Sequence, residues 1–248
     1  TPNPLKQYFR QPAIYLKLPS NGNYWPAGSL EMPVNGELPI YPMTAIDEIT
    51  YRTPDALFNG QAVVNVIQSC VPAVRNAWHT PNADLNALLI AIRIASYGHE
   101  MEVSSTCPAC NHEEEYAVDM RVMLDQIKVP DFSKSMNFGD LDIMFKPVDY
   151  QQQNETSMAQ FEQQKILSML PDSALSEDEK VQRLNAALQA ITELTIVVAS
   201  RSIAAIKAPG IVVTETAHIE EFLRNCDRKV YNAVRDHVVD LNQATQLK

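Results

Sequence analysis

The chain of 248 residues is long enough for one large domain or two smaller ones, and 46% hydrophobic against 20% charged residues excludes an intrinsically disordered chain. A formal charge of −10, with no cluster of Lys and Arg, argues against sequence-independent binding to nucleic acid and against adsorption to an anionic membrane. The apolar runs at 87–95 and 194–208 are interrupted by Arg93, Arg201 and Lys207 and fall short of the ~20 residues a membrane span needs.

The opening stretch, TPNPLKQYFRQPAIYLKLPS, has no charged region leading into an apolar run, so no signal peptide is expected. More than half of the sixteen prolines fall within residues 1–54. That density forbids long helices and favours short extended segments, with apolar stretches at 14–18 and 38–41. SNGN at 20–23 is a turn signal, because Asn-Gly tolerates positive φ. Immediately after it, Tyr24 and Trp25 stand on a Pro-rich loop and read equally as anchors for a partner or as cover for the protein's own core.

Helical spacing begins near Thr53, with Ala56, Leu57 and Phe58 opening an apolar face, and Gly60 interrupts it. Val63, Val66, Ile67 and Cys70 then recur at helical intervals until Pro72. A further helix is expected from 81 to 97, with Asn82 or Asp84 as its cap, Leu85, Leu88, Leu89 and Ile92 on one face and Gly98 closing it. Arg93 lies in this apolar helix, where it could form an ion pair between subunits; the favoured reading is a stem that snorkels beside the core.

Residues 101–120 alternate on both sides of CPACNH, which reads as a β-hairpin with a zinc-ribbon-like tip. Two cysteines at this spacing turn both sulfurs toward one point, and Asn111 supplies the positive φ that follows. Zinc would take Cys107 and Cys110, with His112 as the first choice for a third ligand and His99, Cys70 or Cys226 for a fourth. A structural site needs four ligands, and the second CxxC of a ribbon is missing. The pattern therefore favours a metal-free knuckle and no cofactor. A thioredoxin-like reading lacks the helix that would stabilise a thiolate, and Glu113, Glu114 and Glu115 oppose one.

Residues 121–127 suggest a short helix, and Leu141, Ile143 and Phe145 a strand after a Gly-Asp turn. Beyond Tyr150 the texture becomes helical. A helix is expected over 157–169. Ser176 and Glu179 form a capping-box pattern for another over 177–206, APGIVV reads as an extended connector, and a last helix runs from Glu215 or Thr216 to about 242. The expected fold is α+β: a mixed region 1–150 containing the CxxC hairpin, followed by a mainly helical region 151–248.

No phosphate-binding Gly-rich loop, GxSxG elbow or HExxH occurs. His79 and His218 read as ordinary turn and helix-start residues. With four cysteines and only one close pair, a disulfide framework is a poor fit, and synthesis in a reducing cytoplasm is expected.

Three pieces together resemble the T-even-type phage baseplate protein family: LPSNGNYW at 18–25, GELPIYPMTAIDEITYRTPDALFNGQAVVNVIQSCV at 36–71, and LLIAIRIASYGHEMEVSSTCPACNHEEEYAVDM at 88–120. The resemblance covers 16–147. It implies a hub or hub-assembly protein of a contractile phage tail, without catalysis, made in the host cytoplasm and joined to other baseplate proteins in a multi-subunit assembly in the virion. A zinc-ribbon adaptor on a nucleic-acid machine and a thiol-disulfide oxidoreductase are the alternatives; the acidic charge opposes the first.

Overall fold

The computed structural model describes residues 3–52, 60–171 and 173–244. The helix start expected at 53–58 lies outside them. The described residues divide into two compact units, one within 3–129 and the other within 130–244.

In the first unit, β1 (Ile14–Lys17) and β2 (Glu37–Ile40) pair antiparallel, with Leu16 opposite Leu38. Their period of two sends Leu16, Leu38 and Ile40 into the core, where each is nearly or fully buried. Thr44 and Asp47 form a reciprocal capping box at the start of α1 (Ala45–Tyr51). The next helix, α2 (Gln61–Cys70), follows Gly60, whose φ of 78° admits the chain at a left-handed turn. Helix α3 (Asn82–Tyr97) buries Leu85, Leu88, Ile90, Ile92 and Ile94 around most of its circumference, as a helix at the centre of a core must. Neither expected residue caps it by a side-chain bond, for Pro81 holds the N-cap position. Asp84 is instead drawn into the protein.

Strands β3 (Glu100–Thr106) and β4 (Glu113–Asp119) form an antiparallel ribbon, and α4 (Met120–Gln126) follows at once. The ribbon is rooted where Met101 packs on a cluster of Ile90, Ile94 and Met120, flanked by Met123, Leu124 and Ile127. From Glu102 to Tyr116 its residues are exposed, except that Cys107 is half-buried.

The second unit holds a four-stranded antiparallel sheet in the order β5 (Met136–Phe138), β6 (Leu141–Phe145), β7 (Ile203–Ala208), β8 (Ile211–Val213). Gly139, with φ 61°, starts the two-residue turn from β5 to β6. Two helices, α5 (Tyr150–Met169) and α6 (Glu177–Arg201), are inserted between the neighbouring strands β6 and β7. Helices α7 (Thr216–Asn225) and α8 (Arg228–Ala244) complete the unit, burying Ile219, Leu223, Val230, Val234 and Val238. The rings of Phe145 and His237 lie 4.5 Å apart.

Three expectations for this region are corrected. The helix predicted to run to 206 stops at Arg201, because Ile203 and Ile206 pair with Phe145 and Ile143 of β6. The extended connector contains a hairpin turn, with Ala208 opposite Ile211 and Gly210 at φ 78°. The last helix is two: Cys226 leaves helical geometry, and the Asp227 carboxylate accepts from the Lys229 N–H at 2.7 Å to restart the chain as α8. Helix α5 also begins earlier than expected, at a capping box between Asp149 and Gln152. The α+β class stands, with the larger sheet sharing its strands between residues before and after Tyr150.

Candidate functional site

The tip of the β3–β4 ribbon is closed by backbone bonds. The Cys107 N–H donates to the His112 carbonyl at 2.9 Å, and the Asn111 N–H donates to the Cys107 carbonyl at 2.8 Å. Asn111 takes φ 54°, the left-handed position that asparagine tolerates. This winding aims the N–H groups of Ala109 and Cys110 at the Cys107 sulfur, which with the Cys110 thiol hold the Cys107 thiol below its ordinary pKa. Both cysteines are free, Cys110 is exposed, and Cys107 is half-buried. Among the described residues, no three His, Cys, Asp or Glu side chains come together to hold a metal ion. His112 shares the tip through its carbonyl, and one chain gathers two thiols there.

The other cysteines are engaged elsewhere. Cys70 is fully buried, and burial pushes its thiol to about 11. The Cys226 thiol faces the Leu223 carbonyl at 3.6 Å.

The faces of the ribbon differ. The register sets Val103 against Tyr116 on one face, where they are 38% and 49% exposed, and Glu102 against Ala117 on the other. Glu113, Glu114 and Glu115 follow the tip and are all exposed. At the root, the Arg121 guanidinium holds the Asp119 carboxyl down at about 2.

The aromatic pair divides. Tyr24 is 45% exposed and sits at φ 71°, a strained conformation for a bulky residue. Trp25 is half-buried and donates its indole N–H to Asp84 at 2.8 Å. The same carboxylate accepts from the Ser20 N–H at 2.9 Å and from the Ser20 hydroxyl. Asp84 is fully buried, and burial raises its pKa against the opposing pull of these bonds.

A second polar cluster ties down the N-terminal arm. Arg10 reaches the Ser69 carbonyl and hydroxyl, each at 2.8 Å, and lies 3.3 Å from Asp47, whose carboxylate also accepts from Thr44 and Ser69. Burial acts to raise the Asp47 pKa, and the bonds from Thr44 and Ser69 with the charge of Arg10 outweigh it, so the net shift is downward. Spacing alone did not single out Arg10 or the buried role of Asp84. The signals available were an acid inside an apolar helix and the T-x-x-D of PMTAID.

His79 lies with its Nδ1 2.7 Å from the hydroxyl of buried Ser29, in a loop crossing where the Ser29 carbonyl also accepts from the Arg75 N–H. His218 is exposed beside Glu215 at a helix start. Arg93 donates to the Gly98 carbonyl and lies over the Tyr97 ring, which closes the end of α3.

In the second unit, Arg201 near the end of α6 bonds Glu155 and the Gln152 carbonyl near the start of α5, so the helices run antiparallel as an arm. The half of the arm away from this junction leaves Ile166, Met169, Val181, Leu184 and Leu188 between 40% and 60% exposed. Nearer the junction, Ile191, Leu194 and Val198 line a cleft of about 230 Å³ with Val238 and Val239 of α8. Among the described residues, no helix is long and apolar enough to cross a membrane.

A family model described as T4 bacteriophage base plate protein matches residues 29–246. No curated protein and no solved structure matches.

Proposed function

The chain belongs to the T4 bacteriophage base plate protein family, and from that premise we propose that it is a non-enzymatic structural component or assembly factor of the hub region in a contractile tail baseplate. It works by contact with other baseplate proteins at the virion tail baseplate, after synthesis in the host cytoplasm. The observation that carries the reading is the distal half of the α5–α6 arm. Val181, Leu184 and Leu188 follow helical spacing on a surface that its own unit leaves open, and Ile166 and Met169 add to it. Apolar side chains at that density are the usual mark of an interaction surface. The three sequence segments that resemble T-even-type baseplate proteins favour the hub over other parts of the tail.

The test is infection with a phage carrying an affinity-tagged copy, and in parallel with one lacking the gene. The expected result is co-purification of tail proteins, with incomplete hubs when the gene is absent. Normal tails formed without it, and no tail protein recovered with it, would sink the reading.

A further inference from the structure

The ribbon tip presents half of a tetrahedral thiolate site. Its backbone is already wound for metal, with Asn111 in the left-handed region, the Cys107 N–H donating to the His112 carbonyl and the Asn111 N–H to the Cys107 carbonyl, so that Cys107 and Cys110 share one tight turn. A structural zinc ion takes four ligands, and thiolates are among its preferred donors. One chain supplies two, and among the described residues no third ligand joins them. Buried Cys70, a residue of the first unit's core, cannot reach the surface without unfolding it.

We propose that Cys107 and Cys110 form one half of an intermolecular zinc site, completed by the same two cysteines of a second copy of this chain. A two-fold pairing brings equal pairs of thiols to one point, and the sum is the four-thiolate set that a closed structural site uses. Each of the four thiols gives its proton to solvent as it binds. The surroundings fit. Glu113, Glu114 and Glu115 beside each tip repel a second copy, so the tips stay apart when no cation is present. Val103 and Tyr116, exposed side by side on a two-stranded ribbon, gain cover when two ribbons meet. The inference stands on the tip alone and does not depend on the baseplate reading.

The test uses the full chain, purified under reducing conditions, then loaded with Zn(II) or Co(II) and followed by metal content, solution mass and absorption. The expected result is a dimer holding about one ion per two chains, a cobalt spectrum of four sulfur ligands, and return to monomer on chelation. Cys107→Ser and Cys110→Ser each remove the ion and the dimer, whereas His112→Ala keeps both. Chelation of the unmutated chain guards against variants that merely misfold. One ion per chain in a monomer, a dimer unmoved by chelation, loss of the ion in His112→Ala, or no retained ion would each overturn the proposal.

Discussion

Trp25 and Asp84, 59 residues apart in sequence, are joined by an indole N–H donated to a carboxylate at 2.8 Å. The bond fastens the loop after β1 to the first turn of α3. It also divides the work of an aromatic pair that the sequence offered as one candidate anchor. Trp25 is tied to its own unit, and Tyr24 beside it keeps its exposed ring.

Trp25→Phe keeps the ring and removes the donor. A hydrogen bond to a charged or buried group contributes about 1–3 kcal/mol, so the unfolding midpoint should fall by several degrees. Tyr24→Gly relieves the strain at φ 71°, so its midpoint should fall by less than that of Trp25→Phe. If Tyr24 meets a partner, the same change weakens assembly. Thermal melts of both variants, with recovery of tail proteins, separate the two roles.

Asp84 gives a dependence on pH that runs opposite to the usual carboxylate. Its folded pKa is raised by burial, so between the unfolded value of about 4 and that raised value the folded chain holds the extra proton. Stability therefore falls as pH rises through this window and levels off above it. Asp47, lowered in the folded chain, contributes stability above about pH 4 that is lost as pH falls. Asp84→Asn should abolish the first dependence and keep the second. It should also cost about 1–3 kcal/mol, since an amide nitrogen replaces an oxygen that faces donors. Denaturant melts from pH 3 to 8 would show an unchanged profile if Asp84 were not the cause.

Arg10→Ala should free the N-terminal arm while leaving the rest folded. The partly buried pair with Asp47 and the two bonds to Ser69 are lost together, at a cost of about 1–3 kcal/mol. Limited proteolysis should then cut between residues 3 and 13 far faster than in the unmutated chain. Equal cutting rates would show that the network does not hold the arm.

Leu184→Glu with Leu188→Glu should change stability by less than about 0.5 kcal/mol, as is usual for exposed positions. Both side chains are more than 40% exposed. Tail assembly should nevertheless fail. A large fall in melting temperature with assembly retained would place these residues in the protein's own core.

Local chemistry was legible where it acts over a few residues. Ser176 with Glu179, Gly98 after α3, and the alternation around CPACNH each matched the structure, because a cap, a stop and a two-residue period are written side by side in the chain. Longer-range decisions were not. Residues 203–208 continue an apolar helical run in sequence, and only pairing with β6, some sixty residues earlier, makes them a strand. The break at Cys226 carries neither Gly nor Pro, so its sole signal was Asp227. At the tip, spacing revealed the two thiols and the left-handed Asn111, whereas the directed N–H groups follow from the folded winding.

The α5–α6 arm leaves the sheet after β6 and returns at β7, and the Lys146 N–H donates to the Ser202 carbonyl at 2.8 Å to close the gap between departure and return. Whatever happens beyond that clasp is invisible to strand register. Helical turns can be added to or removed from both halves of the arm together, changing its reach by about 5.4 Å per turn, without moving a residue of the sheet. The arm is thus an adjustable spacer on a fixed mount. Tension applied to its far end is shared between the clasp on two adjacent central strands and the bonds that tie α6 to α7 and α8, Glu193 to Arg224 and Thr195 to Tyr231.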